Sequence, residues 1–419
     1  MTHVFNNQIE ETHEIIIIGS GMAGLSCAHH IHEQGRKFLL LDASDRVGGR
    51  VATDLVDGFR LDRGFQVLLT AYPEARRILD YGALDLRTFY PGALVRYNSA
   101  WHRLADPLKH PIDALGGVFS PIGTLFDKVR MALSRGCGFH FSRHGAELSS
   151  MEALRAEGFS DTMIDRFFRP FLGGVFLEKN LETSVAKLDF VMNHFSNGET
   201  AIPALGMAEI PSQLAGKLPA SSIRLNTRVT GIHEKHVLLE NRVTLHARAI
   251  VIATEAGGSA MLLGRKTPAP DFHRVSCLYF SADHAPVDEA VLLLNGEDHG
   301  PINNLTVLSH VSPDYAPHGK HLISVSIVDD HAADDPQLIK NVQAQLREWF
   351  GQQSDSWKLL KHDRISRAIP SQKKIDDQNI RLGSGIYQCG DHLGVASINA
   401  AMASGRAAAE AVLTDLKTC

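Results

Sequence analysis

Residues 14–50, EIIIIGSGMAGLSCAHHIHEQGRKFLLLDASDRVGGR, limit the possible folds of this chain more than any other stretch. Ile15, Ile16, Ile17 and Ile18 form an unbroken apolar run of high strand propensity that stops at Gly19, the pattern of a short buried strand. Gly19, Gly21 and Gly24 come next in G-x-G-x-x-G spacing. The first permits a tight strand-to-helix turn, the second leaves room for a pyrophosphate, and the third lets the helix lie close to the sheet. Met22, Leu25, Ala28 and Ile31 carry the apolar face of the next helix until Gly35, and residues 38–41 read as a second buried strand. Asp42 stands 23 residues after Gly19, where a carboxylate accepts hydrogen bonds from ribose hydroxyls. Together these features predict a dinucleotide site contacted by Gly19, Gly21, Met22, Ala23, Gly24, Asp42 and Ala43, with the phosphate at a positive helix end. An acid at position 42 disfavours a ribose 2′-phosphate and leaves NAD or FAD; the alternative is a doubly wound core that binds no nucleotide.

At 419 residues the chain is close to the size at which one hydrophobic core divides. A hydrophobic share of 44% and a charged share of 21% are ordinary globular usage, which sets aside disorder, collagen and coiled coil. The 42 basic residues against 47 acidic ones leave −5, and with no long Lys/Arg block a nucleic-acid partner is not expected. Cys27, Cys137, Cys277, Cys389 and Cys419 form no C-x-x-C pair, so a reducing, cytoplasmic setting and no metal site are the expectation. The opening MTHVFNNQIEETHE lacks the basic and apolar parts of a secretory signal, and no uncharged apolar run long enough to span a bilayer comes after it. Hydropathy leaves peripheral membrane contact open, and the sequence does not specify an oligomeric state.

The DRVGGR motif and the segment after it resemble the superfamily of FAD-dependent amine oxidases, protoporphyrinogen oxidases and phytoene desaturases. By that resemblance Gly48 and Gly49 approach FAD, with Arg50 near its phosphates. Two adjacent glycines also admit close backbone approach on physical grounds, and a guanidinium offers oriented donors to phosphate. GFRLDRGFQVLL resembles the hairpin and turn entering the flavin region, with Asp62, Arg63, Gly64, Phe65 and Gln66 as candidate contacts. The resemblance further implies Val229 beside the adenine and Thr254 closing the middle segment. It also implies a returning segment, IYQCGDHLGVASINAAMASGRAAAEAVL, in which Gly390, Asp391, Ala396, Ser397 and Ile398 face the cofactor.

The expected fold is α/β: a discontinuous Rossmann-like FAD-binding domain from 12–71, 197–265 and 375–416, and an interleaved α+β substrate domain from 72–196 and 266–374. Within the insert, 121–133 predicts a helix with Ile122, Leu125, Phe126, Val129 and Leu133 on one stripe. Core packing is its simplest role; lining a substrate entrance or touching a membrane are the alternatives. Residues 167–177, FFRPFLGGVFL, fit either an apolar pocket wall or a packed domain junction.

FAD accepts two electrons without a metal or a nucleophilic side chain. The sequence has no second G-x-G-x-x-G in a strand–helix context and no C-x-x-C, which favours oxygen, a quinone or another electron acceptor over a nicotinamide domain. Amine oxidases of the resembled superfamily place a lysine near flavin N5, whereas DFHRVSCLYF offers His273, Arg274 and Ser276. The expectation is therefore dehydrogenation or desaturation of a hydrophobic small molecule by hydride transfer to N5. The alternatives are amine oxidation and a nonenzymatic flavin-stabilised binding protein. No catalytic residue is assigned: His194, His273 and His392 are possible participants among 22 histidines.

Overall fold

The structure, a computed structural model, describes residues 9–106, 108–117, 120–265, 271–328, 335–375 and 379–417. Its first sheet sets Ile223–Arg224, Leu39–Leu41, Ile9–Ile18, Thr244–Ile252 and Ile386–Gln388 side by side in parallel. An antiparallel extension, Val229–His233 with His236–Leu239, joins the start of Thr244–Ile252. Ile15 to Ile18 are buried on both faces, which explains why their sequence shows no alternation.

Helix Met22–Glu33 leaves the first strand at Gly19 and packs along Ile398–Lys417. Two contacts fix that approach. Ser26 Oγ donates to the Met402 carbonyl at 2.8 Å, and Gly405 sits so close that a Cβ there would lie 2.2 Å from the Ala23 carbonyl oxygen. Buried thiols Cys27 and Cys389 meet at the same layer, where mutual contact and burial push the Cys27 thiol up. Cys277 is also buried, Cys137 is exposed, and Cys419 lies outside the described residues.

The second sheet runs Lys358–Pro370, Phe272–Ala282, His321–Val328, Asn304–Val307, Leu292–Asn295, Gly92–Tyr97, Ala100–Ala105. It is antiparallel except where Gly92–Tyr97 lies parallel to Leu292–Asn295, the joint at which chain from before and after the middle of the sequence meets. Leu338, Val342, Leu346 and Trp349 of helix Asp335–Phe350 cover it, packing on Leu278, Phe280, Ile323 and Val325. A third core, helical, gathers Phe139, Phe141, Phe168, Leu172, Phe176 and Leu188.

The helix expected over 121–133 spans Leu125–Cys137, and core packing of its stripe is overturned. Phe126 is 81% exposed, Leu133 64%, Leu125 59% and Val129 51%; only Ile122, ahead of the helix, is buried in the core. The cause is the polar side. Asp127 closes a capping box with Thr124 and accepts from the Ser160 amide at 2.8 Å and hydroxyl at 2.6 Å. Those bonds satisfy a buried carboxylate and turn the apolar stripe outward. Among the described residues no helix is long and apolar enough to cross a membrane.

Candidate functional site

A cavity of about 1720 Å³ opens between the two sheets, larger than the ~300–1,000 Å³ typical of one small-ligand pocket. One end is built by the glycine turns. Gly19 adopts φ +107°, and Gly24 packs so tightly that a Cβ would stand 1.9 Å from the Gly19 carbonyl oxygen; Gly24 alone of the predicted glycine-turn contacts is absent from the cavity wall. At Gly21 the opposite holds: a Cβ would meet nothing within 4 Å, because it points into the cavity. The DRVGGR loop crosses this turn, with the Gly48 amide donating to the Ser20 carbonyl at 2.8 Å and Gly49 close over Gly21.

Met22, Ala23, Asp42 and Ala43 line the same end. Asp42 is held rigidly: one carboxylate oxygen accepts from the Ser20 amide at 2.6 Å and hydroxyl at 2.7 Å, the other from the Ser44 amide at 2.8 Å. A carboxylate has lone pairs to spare for ribose hydroxyls. The Thr227 amide donates to the Asp42 carbonyl at 2.7 Å and so delivers Val229 to the wall that Thr254 also lines.

Arg50 is committed to Asp391 at 2.7 Å and to the Ala368 carbonyl at 2.9 Å, so it joins the first and last glycine-rich segments at the cavity. Gly390, Ala396, Ser397 and Ile398 complete that wall. Gln372 pins the turn, accepting from the Ala396 amide at 2.8 Å and donating to the Gly394 carbonyl at 2.6 Å. Helix Ile398–Lys417 thus starts at the cavity with its positive end towards it. The residues present fit FAD: an open glycine for a pyrophosphate, two helix ends, and a fixed acid for a ribose.

Gly64, at φ +82°, Phe65 and Gln66 also reach the cavity. Gln66 braces the turn by donating to the Arg50 and Arg63 carbonyls at 3.0 and 2.9 Å. Arg63 lines the wall while its guanidinium chelates Asp54.

Asp62 is a correction. It is not among the residues lining the cavity but is buried, accepting from Thr53 Oγ1 at 2.6 Å, the Met207 amide at 2.9 Å and the Tyr315 hydroxyl at 2.8 Å. Burial pushes its carboxyl up to about 6 against these bonds. The folded state therefore holds this proton more tightly than the unfolded chain does. The contribution is complete below about pH 4 and is lost as pH rises through 6, an expected fall of about 3 kcal/mol. Asp62→Asn keeps an acceptor for Thr53 and Met207 and should flatten that fall; denaturant unfolding at steps across the window measures it.

The far half of the cavity is apolar. Phe167 and Phe171 stack with centroids 5.4 Å apart, and Phe195 meets Phe171 edge-on at 5.2 Å; Met131, Val175 and Val191 line the same space. Segment 167–177 thus walls the apolar pocket on one side, while Phe168, Leu172 and Phe176 point into the helical core on the other. Leu125 and Val129 line the cavity while more than half exposed, so the outward stripe borders its mouth.

Four lysines line this wall, Lys109, Lys128, Lys187 and Lys361, and sequence reasoning singled out none of them as a site residue. Lys361, on a strand of the second sheet, is bound to Asp54 at 2.6 Å and Asp363 at 2.7 Å. Lys187 is 2% exposed, on helix Val185–Asn197. Its ammonium lies 5.7 Å from the Phe176 ring centroid, and burial lowers it to about 8 although Asp391 and Glu178 act the other way. A signal was present: Lys187 stands three before Phe190 and four before Val191, on the apolar face.

None of the three histidines is among the lining residues. His194 packs on Tyr72 and Phe190. His392 lies behind Gly390, where burial lowers its imidazole, helped by Arg50 and against the pull of Asp391.

A family model described as flavin containing amine oxidoreductase matches residues 22–413. Coproporphyrinogen III oxidase of Propionibacterium freudenreichii subsp. freudenreichii is 22% identical over 417 aligned positions, covering 80% of this chain and 77% of that protein. Protoporphyrinogen oxidase 2, chloroplastic/mitochondrial, of Arabidopsis thaliana is 24% identical over 180, covering 41% of this chain and 34% of that protein. For several curated relatives, that one included, the chain spans well under two thirds of their length. In fold the chain is similar to an oxidoreductase from Methanosarcina mazei, with TM-score 0.74 and 16% identity over 95% of this chain and 100% of that one.

Proposed function

The chain belongs to the family of flavin-containing amine oxidoreductases, and from that premise we propose that it dehydrogenates or desaturates a hydrophobic organic molecule held in the apolar half of its cavity. The wall of Phe167, Phe171, Phe195, Met131 and Val175 carries this reading. It offers area to a hydrocarbon skeleton at roughly 25 cal/mol per Å² buried and excludes water from the reacting bond. FAD, when bound, supplies the two-electron acceptor for hydride leaving a C–H bond. The chain divides accordingly: 12–71, 197–265 and 375–416 hold the cofactor, and 72–196 with 266–374 shape the substrate pocket. Amine oxidation is the second reading, disfavoured because strand Phe272–Ala282 carries no lysine where the amine oxidases of the superfamily place one. Electrons pass on to oxygen, a quinone or another acceptor.

Leu125 and Val129 line the cavity, and with Phe126 and Leu133 they form an exposed apolar stripe; we propose that this stripe docks on a lipid surface and that the substrate enters beside it. Anaerobic bleaching of the bound flavin tests both parts. A polyene or cyclic hydrocarbon should reduce the flavin where primary and secondary amines do not. With the donor in phosphatidylcholine vesicles, Phe126→Glu/Leu133→Glu should slow reduction about tenfold or more, as two partly buried apolar contacts are lost, and leave the rate unchanged with detergent-dispersed donor. Reduction by amines alone sinks the substrate reading; equal rates from vesicles sink the docking.

A further inference from the structure

We propose that Lys187 anchors a carboxylate carried by the substrate, so that the cavity takes an acid-bearing hydrophobic molecule. This rests on the reading of the cavity as an apolar substrate site. The neighbouring cations show why Lys187 is different. Lys109 is paired with Glu199 at 2.8 Å, Arg135 with Asp106 at 3.0 Å, and Arg367 with Glu255 at 2.7 Å. Arg50 is held by Asp391, and Lys361 by Asp54 and Asp363. Among the described residues the Lys187 ammonium has neither a hydrogen bond nor an ion pair, although its side chain is almost fully buried and lines the cavity.

The charged groups acting on it, Glu178 and Asp391, are already occupied. Glu178 accepts from the Thr183 amide at 2.7 Å, and Asp391 holds Arg50. Around Lys187 there remain the Phe176 ring on one side and the cavity on the other. An uncompensated ammonium in such a place is costly. A carboxylate entering with an apolar body supplies the missing counter-charge and acceptor, while the body fills the phenylalanine-lined space. The same geometry gives the site a direction: an acid at Lys187 fixes which end of the ligand leads. Burial of the amine adds a pH signature, since the cation, and with it the grip on an anion, is lost above about pH 8.

Calorimetric binding of 4-biphenylcarboxylate and its neutral carboxamide to the FAD-loaded protein is the test. At pH 7 the wild type should prefer the acid, and Lys187→Met should weaken acid binding about 10- to 100-fold while leaving carboxamide binding nearly unchanged. Lys187→Arg should retain the preference. Raising the pH to about 9.5 should erase it in the wild type and not in the arginine variant. If Lys187→Met does not fold, the wild type and the arginine variant still decide through their pH profiles. Equal binding of acid and amide by the wild type, or acid binding untouched in Lys187→Met, overturns the proposal and leaves the apolar-substrate reading standing. Failure of flavin-loaded protein to bind either probe removes both; flavin absorbance in each sample separates that result from loss of cofactor.

Discussion

Gly21→Val is expected to yield a folded protein that purifies without flavin. The two halves of that result have separate causes. Folding survives because Gly21 has φ −68° and ψ −179°, a conformation open to valine, and because a Cβ there meets no atom of the protein within 4 Å. Stability without cofactor should change by no more than about 0.5 kcal/mol, as for a substitution that touches nothing. Flavin should be lost because the branched side chain projects into the cavity in front of the glycine turn and helix end, the place suited to a pyrophosphate. Visible absorbance of the purified variant measures occupancy, and thermal unfolding with and without added FAD measures the linkage. Wild type should gain about 4 kcal/mol at a thousandfold excess of FAD over its Kd, and the variant nothing. Stoichiometric flavin in Gly21→Val would mean the cofactor lies elsewhere.

The parts of this site that were legible in sequence are those where backbone geometry dictates residue type. A strand buried on both faces must be apolar throughout, which made Ile15 to Ile18 readable. Positive φ at Gly19, Gly48 and Gly64 left little choice but glycine, and the acid expected after the second strand is where the structure puts Asp42, on the cavity wall. Local patterns of this kind survive in a single sequence. Asp62 was misread because an acid in a glycine-rich turn looks the same whether it faces a ligand or, as here, Thr53, Met207 and Tyr315 from other segments. For the stripe from Leu125 to Leu133 the core-packing reading fails for a related reason, while the cavity-lining alternative fits Leu125 and Val129. Amphipathicity identifies two faces but not which one meets the protein, and here the buried bonds of Asp127 with Ser160 decide it. For Lys187 the sequence shows a lysine on the apolar face of its helix, but that it faces the cavity without an ion pair among the described residues is visible only in the folded arrangement.

Gly405→Val should fail in the other way, by loss of the fold itself. Alanine and glycine in ASGRAAAEAVL look interchangeable as small helix residues, yet Gly405 has no spare space: its Cβ would lie 2.2 Å from the Ala23 carbonyl oxygen and 3.0 Å from the Cys27 amide nitrogen. Both obstacles are backbone atoms of the helix that begins at the glycine turn, so no rotamer change relieves them. That helix is held at its start by Gly24 against Gly19 and along its length by Ser26 on Met402. Separating the two helices would break these contacts and expose Met402, Ala408 and Val412. The cost should exceed the ~1–3 kcal/mol usual for overpacking, a large share of the ~5–15 kcal/mol that stabilises a domain. The variant should be insoluble or have its unfolding midpoint lowered by many degrees, with Gly405→Ala intermediate, since one carbon already makes the clash. Unfolding of the flavin-free proteins is the decisive comparison, because there Gly21→Val and wild type should coincide while both Gly405 variants fall below them. Were Gly405→Val as stable as wild type, the close crossing of the first and last helices would be wrong, and with it the placement of Ala396, Ser397 and Ile398 on the cavity wall.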